Sequence, residues 1–116
     1  AAILWIAAMP GVAATQSVPP VNDARSARMA GEPDRSLTLI DAWLAEYPDD
    51  SDAWLERGFS QMALRDFASA RASFERTLQL SPDYQDAQIA LARLDYFAGD
   101  YPSALSRLAG RHDTVE

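Results

Sequence analysis

Pro48 and Pro82 lie 34 residues apart, and that interval returns throughout the chain. Small residues fall at Ala24, Gly58 and Ala92, and again at Ser36, Ala70 and Ala104. Bulky apolar residues fall at Ile40, Phe74 and Leu108, while Gly31 and Gly99 stand two periods apart with Arg65 midway. A fixed period of this length marks a supersecondary unit that buries its apolar face only against its neighbours. It divides the chain into three units, at about residues 17–50, 51–84 and 85–116.

Each unit reads as two short helices. In the second, Trp54, Leu55, Gly58, Phe59 and Met62 recur at helical spacing, with Asp50 or Ser51 as the N-cap after Pro48. Arg65-Asp66 forms the turn. Phe67, Ala70, Phe74, Leu78 and Leu80 then give a second apolar stripe, which ends at Ser81-Pro82 because proline forbids the helix to continue. The third unit repeats this with Ile89, Ala92 and Tyr96, the turn Ala98-Gly99-Asp100, then Tyr101, Ala104 and Leu108. Gly99 suits a left-handed residue closing a helix. The first unit turns at residues 29–34, and Gly110-Arg111-His112 falls off the pattern. No segment shows strand-like alternation, so the fold class is all-α.

Seventeen acidic residues against ten basic ones give a net charge of −7, and every basic residue is Arg. Such a chain is repelled by phosphate backbones and anionic lipid, which argues against nucleic-acid binding and against membrane insertion of the repeat region. There is no Cys and a single His, His112, so thiolate and multi-His metal chemistry have no residues to use, and no cofactor is implied. Asp49-Asp50-Ser51-Asp52 lacks the Gly and bidentate Glu of an EF-hand loop and reads as a helix cap. Asp83, Asp86, Asp95 and Asp100 read as solvent-facing or capping. His112 beside Asp113 has no nucleophile to serve, and the sequence carries no template for an enzyme.

The second unit resembles a tetratricopeptide repeat, whose pattern runs Trp, two residues, Leu-Gly, two residues, Tyr, then Ala, three residues, Phe, and finally Pro. Trp54, Gly58, Ala70, Phe74 and Pro82 match it, while Arg57 and Gln61 replace the Leu and Tyr. The third unit keeps Leu91, Ala92, Gly99, Tyr101 and Ala104 but has Gln88 at the Trp position. The first keeps Ala24, Gly31 and Pro48, with Trp43 where the family usually has Ala. The resemblance implies a right-handed superhelical array of about three helix-turn-helix repeats whose first helices line a concave, partner-binding face.

On that projection three columns line the groove: Val21, Leu55 and Ile89; Arg25, Phe59 and Arg93; Arg28, Met62 and Tyr96. A protein or peptide ligand is the expected partner, with an acidic group for the guanidiniums to grip. The competing reading is that these Arg pair with the chain's own carboxylates, such as Glu56 or Asp95. The carboxylate clamp of chaperone-binding repeats is absent, because its positions hold Val21, Arg25, Glu56, Asp86 and Ala90.

Residues 1–16 are apolar and uncharged, end in small residues around Val12-x-Ala14, and have the length of a secretory core rather than a membrane span. They read as a truncated signal peptide ahead of a repeat domain at 17–116. An apolar helix packed on the domain, or a fragment boundary, would look the same. The expectation is a non-catalytic scaffold in the bacterial periplasm. A looser resemblance points to the repeat segment of envelope or exopolysaccharide-export proteins. The alternatives are an assembly or maturation subunit, an accessory domain of an enzyme extending beyond residue 116, and a cytoplasmic location.

Overall fold

The structure, a computed structural model, describes the backbone of residues 20–115 and the side chains of residues 20–109. The leader proposed at 1–16 and the side chains of His112 and Asp113 lie outside that set. Among the described residues six helices follow one another: α1 (Val21–Met29), α2 (Pro33–Glu46), α3 (Ser51–Ala63), α4 (Phe67–Leu80), α5 (Gln85–Phe97) and α6 (Tyr101–Val115). No strand occurs among the described residues. Each helix packs on the next, and α1 also reaches α3, so the three pairs stack as an array. α6 runs on through Gly110-Arg111-His112, where the sequence pattern had lapsed.

The turns inside the pairs are three copies of one device. Glu32, Asp66 and Asp100 each donate a backbone N–H five residues back, to the carbonyls of Ala27, Gln61 and Asp95, at 2.9, 2.9 and 2.8 Å. Gly31, Arg65 and Gly99 donate three residues back at 2.9–3.0 Å, completing a Schellman closure. That closure needs a left-handed residue, and φ is 85° at Gly31 and 84° at Gly99. Arg65 adopts 63° at the same column, a conformation costing a residue with a Cβ about 1 kcal/mol. Starts are fixed as simply. Asp50, Asp66 and Asp100 accept from the N–H three residues on, and Pro33 opens α2 where a missing N–H costs nothing. The acidic run at 49–52 is therefore a cap, held further by Trp43, whose Nε1 donates to Asp50 at 2.8 Å.

The core forms two clusters along the array. One gathers Ala24, Ile40, Leu44 and Ala53, with Trp43 and Trp54 against it; the other gathers Leu55, Ala70, Phe74, Ala87, Leu91 and Leu94. Trp54 thus packs toward the first unit rather than filling the space between its own two helices. Phe74 does fill that space. It lies directly over Gly58, so a Cβ added there would stand 2.4 Å from its ring. In the other two units the small residue is Ala and its large counterpart is smaller: Ala24 with Ile40, and Ala92 with Leu108. Gly58→Ala is expected to destabilise the chain by about 1–3 kcal/mol, overpacking outweighing the roughly 1 kcal/mol gain in helix propensity. Adding Phe74→Leu should restore most of that loss, as read from urea midpoints; a double variant no better than G58A would contradict this packing.

Candidate functional site

The nine residues expected on the groove divide into three settings. On α1, Val21 is half-buried against the first core cluster, Arg25 is exposed and Arg28 half-buried. On α3, Leu55 is only 5% exposed and belongs to the core, so it presents no free surface, and Phe59 and Met62 pack partly onto the same cluster. On α5, Ile89 is half-buried while Arg93 and Tyr96 are exposed.

Glu56 decides what α1 can offer. It is 1% exposed, and two guanidiniums from the preceding unit reach it. Arg28 Nε donates at 2.5 Å to Oε2 and Nη2 at 3.4 Å to Oε1, and Arg25 Nε stands 3.5 Å away. Arg28 also lies over the Phe59 ring, 5.2 Å from its centroid. The competing reading of these two Arg as partners of Glu56 is therefore what the structure displays. Arg25 keeps donors to spare, since its side chain is half-exposed and its other contact is Asn22. Arg93 has no carboxylate within 4 Å among the described residues.

Asp95 corrects the expectation that it faces solvent. It is 3% exposed and clamped by Arg71 of α4 and Arg107 of α6, each at 2.8 Å. Burial by itself raises its pKa, but the hydrogen bonds and charges of Arg107 and Arg71 outweigh that and hold it below the ordinary carboxylate value. A second junction contact joins Tyr84, at the start of α5, to the Asp52 carboxylate. Burial, that hydrogen bond and the Asp52 charge all keep the phenol protonated.

Sequence reasoning missed Glu56 and Asp95 as buried charges, although one signal was present. The column Ala27, Gln61, Asp95 is a core column in all three units, so its last member had to be buried. Gln61 and Arg57, the two departures from the repeat pattern in the second unit, also turn out to be partners. With the Gln61 amide set to satisfy its neighbours, its oxygen accepts from Arg57 Nη1 at 3.0 Å and its nitrogen donates to Ser73 Oγ at 2.6 Å. Arg57 Nε continues to Asp41 at 2.7 Å, linking the second unit back to α2.

Two apolar depressions open on the surface. One, of about 560 Å³, is lined by Ile89, Arg93 and Tyr96 of α5 with Tyr101, Leu105 and Leu108 of α6. The other, of about 760 Å³, lies between the turns of the second and third units, with Met62, Phe67, Leu94 and Phe97 on its wall. No group of His, Cys, Asp or Glu placed to share a metal ion occurs among the described residues, and none of their helices is long and apolar enough to cross a membrane.

Two tetratricopeptide-repeat profiles match the sequence, over residues 22–85 and 61–111. Together with the three stacked helix pairs of the described residues, they show that the chain belongs to the tetratricopeptide repeat family. It is 31% identical over 83 residues to a tetratricopeptide repeat and J domain-containing co-chaperone of Fusarium oxysporum f. sp. lycopersici. The match takes in 70% of this chain but spans 16% of the relative.

Because the Asp95 pKa is lowered on folding, its contribution to stability is present above the ordinary carboxylate value and is lost as pH falls through the lowered one. Asp95→Asn is expected to lower stability at pH 7 by about 1–2 kcal/mol, the two guanidiniums being free to swing into water. The difference between variant and parent in urea midpoint should shrink steadily as pH drops below about 4. A constant difference from pH 7 to pH 2 would show that the clamp is not electrostatic.

Proposed function

We propose that the chain is a non-catalytic interaction module that takes a peptide or protein partner on the face lined by its first helices. Membership of the repeat family supports this reading, since tetratricopeptide repeats in general mediate protein–protein contact. The observation that carries it is the state of the guanidiniums on that face. Arg28 is consumed by Glu56, but Arg25 retains open donors, and Arg93, beside Ile89 and Tyr96 on α5, has no carboxylate within 4 Å among the described residues. An acidic group flanked by apolar side chains is the complement of that surface, because Arg donates to both oxygens of a carboxylate in a bidentate fork. Screening an array of 12-residue peptides should retain sequences that combine Asp or Glu with aliphatic residues. Arg93→Glu together with Arg25→Gln should then weaken the retained peptides at least tenfold. Unchanged affinity would reject the groove as the site.

The module is further proposed to act in the bacterial periplasm as part of a larger envelope protein. What supports this is the apolar, uncharged stretch at residues 1–16 and the looser likeness to export-associated repeat segments. The co-chaperone relative favours a second reading, in which the repeats hold a client or assembly partner for another domain of the same polypeptide. Fractionation of a tagged chain separates location from binding. Recovery from the periplasm with residues 1–14 removed is expected, and cytosolic protein with those residues intact would overturn the export proposal.

A further inference from the structure

The depression of about 760 Å³ between the turns of the second and third units has no equivalent chemistry one unit earlier. Shifted back by 34 residues, its aromatic walls Phe67 and Phe97 become Pro33 and Ala63, and its cations Arg65 and Arg71 become Gly31 and Leu37. The site is particular to this junction and not a by-product of stacking one unit on the next. Nor is Phe97 open for want of a following unit. It is 72% exposed, and Met29 of the same column is 74% exposed although a further unit follows it.

The lining holds two guanidiniums and no carboxylate, in a chain of net charge −7. Arg71 commits one nitrogen to Asp95 at 2.8 Å, and its side chain stays 33% exposed. Arg65 is exposed and has no carboxylate within 4 Å among the described residues. It also stands in the left-handed conformation, φ 63°, that the other two units give to glycine. Glycine closes that turn with less strain, so the turn itself does not call for a guanidinium, whereas an anionic group at the mouth of the depression does.

We propose that this depression is a second docking site, which takes a short segment of a partner protein carrying a bulky apolar side chain next to a carboxylate. The apolar side chain enters against Phe67 and Phe97, and the carboxylate meets the Arg65 guanidinium, with the free donors of Arg71 beside it. Neither Arg25 nor Arg93 lines the site, and Met62, the lining residue that it shares with the groove columns, packs on the core. A second copy of this chain is a poor occupant, because two copies each of net charge −7 repel.

The test titrates the full, isotope-labelled chain with a blocked peptide carrying Asp-Leu-Phe between Gly-Ser flanks, read by amide shifts. Two control peptides replace the Asp by Asn, or both apolar residues by Ser. Shifts are expected at residues 62–71 and 94–98, with affinity about threefold lower for the Asn control and at least tenfold lower for the Ser control. Arg65→Gly should keep or raise the urea midpoint, since it relieves the left-handed strain, yet weaken the Asp peptide about threefold, to the level of the Asn control. Arg25→Gln with Arg93→Gln should leave the affinity within about twofold, because neither touches this site. Absence of binding, equal affinity for the Asp and Asn peptides, or indifference to R65G would overturn the proposal. Shifts confined to residues 21–28 and 89–93 would overturn it too, while leaving the groove reading intact. So would phenylacetate binding as tightly as the peptide, or a concentration-dependent dimer that Phe97→Ser dissolves, since another occupant would then hold the site.

Discussion

The array depends on how closely two helices of a pair approach, and that distance is set by what stands opposite the bulky residue. The Phe74 ring rests where a Cβ of residue 58 would be, so the pair closes only because residue 58 has none. Interiors pack at near-crystalline density, and one methyl group is enough to force either ring or helix to move. With α3 and α4 at that separation, Leu55, Ala70 and Phe74 form one continuous surface for α5, and the stacking of units follows. Where the large residue is Ile40 or Leu108, Ala24 or Ala92 suffices. The 34-residue repeat is thus a repeat of complementary volumes more than of identities.

Charge is handled inside the array, not only on its surface. Glu56 and Asp95 are both almost fully buried, and each is met by two guanidiniums whose outer ends stay hydrated. An isolated carboxylate at either place would carry a desolvation cost far exceeding that of an exposed pair such as Arg35–Glu32. The exclusive use of Arg has a reason here. Arg28 engages both oxygens of Glu56 while lying over Phe59, and Arg57 contacts Asp41 and Ser73 while lying over Trp54. A lysine ammonium, a point donor without a planar face, performs neither combination. In a chain of net charge −7 most of the described guanidiniums are spent on the chain's own carboxylates, and among the described residues only Arg65 and Arg93 have none within 4 Å.

Much of the fold was legible in the sequence because its determinants are local. Helix starts at Asp50, Asp66 and Asp100, stops at Gly31 and Gly99, and the proline-marked junctions follow from backbone hydrogen bonding within a few residues. The small-large columns were legible too, because the period places them without coordinates. The groove was legible only as a set of columns. Its three members on α3 are partly or wholly absorbed by the core, whereas on α5 Arg93 and Tyr96 are exposed and Ile89 is half-buried.

By itself, then, the sequence determined the 34-residue period, most helix boundaries and the small-large columns, since spacing along one helix decides these. Only the tertiary structure decided which carboxylates are buried and which guanidiniums meet them. Arg28 and Glu56 are 28 residues apart, and Arg57 and Asp41 are 16. Pairings at such separations depend on side-chain reach between helices, a distance fixed only once the small residues have let those helices close.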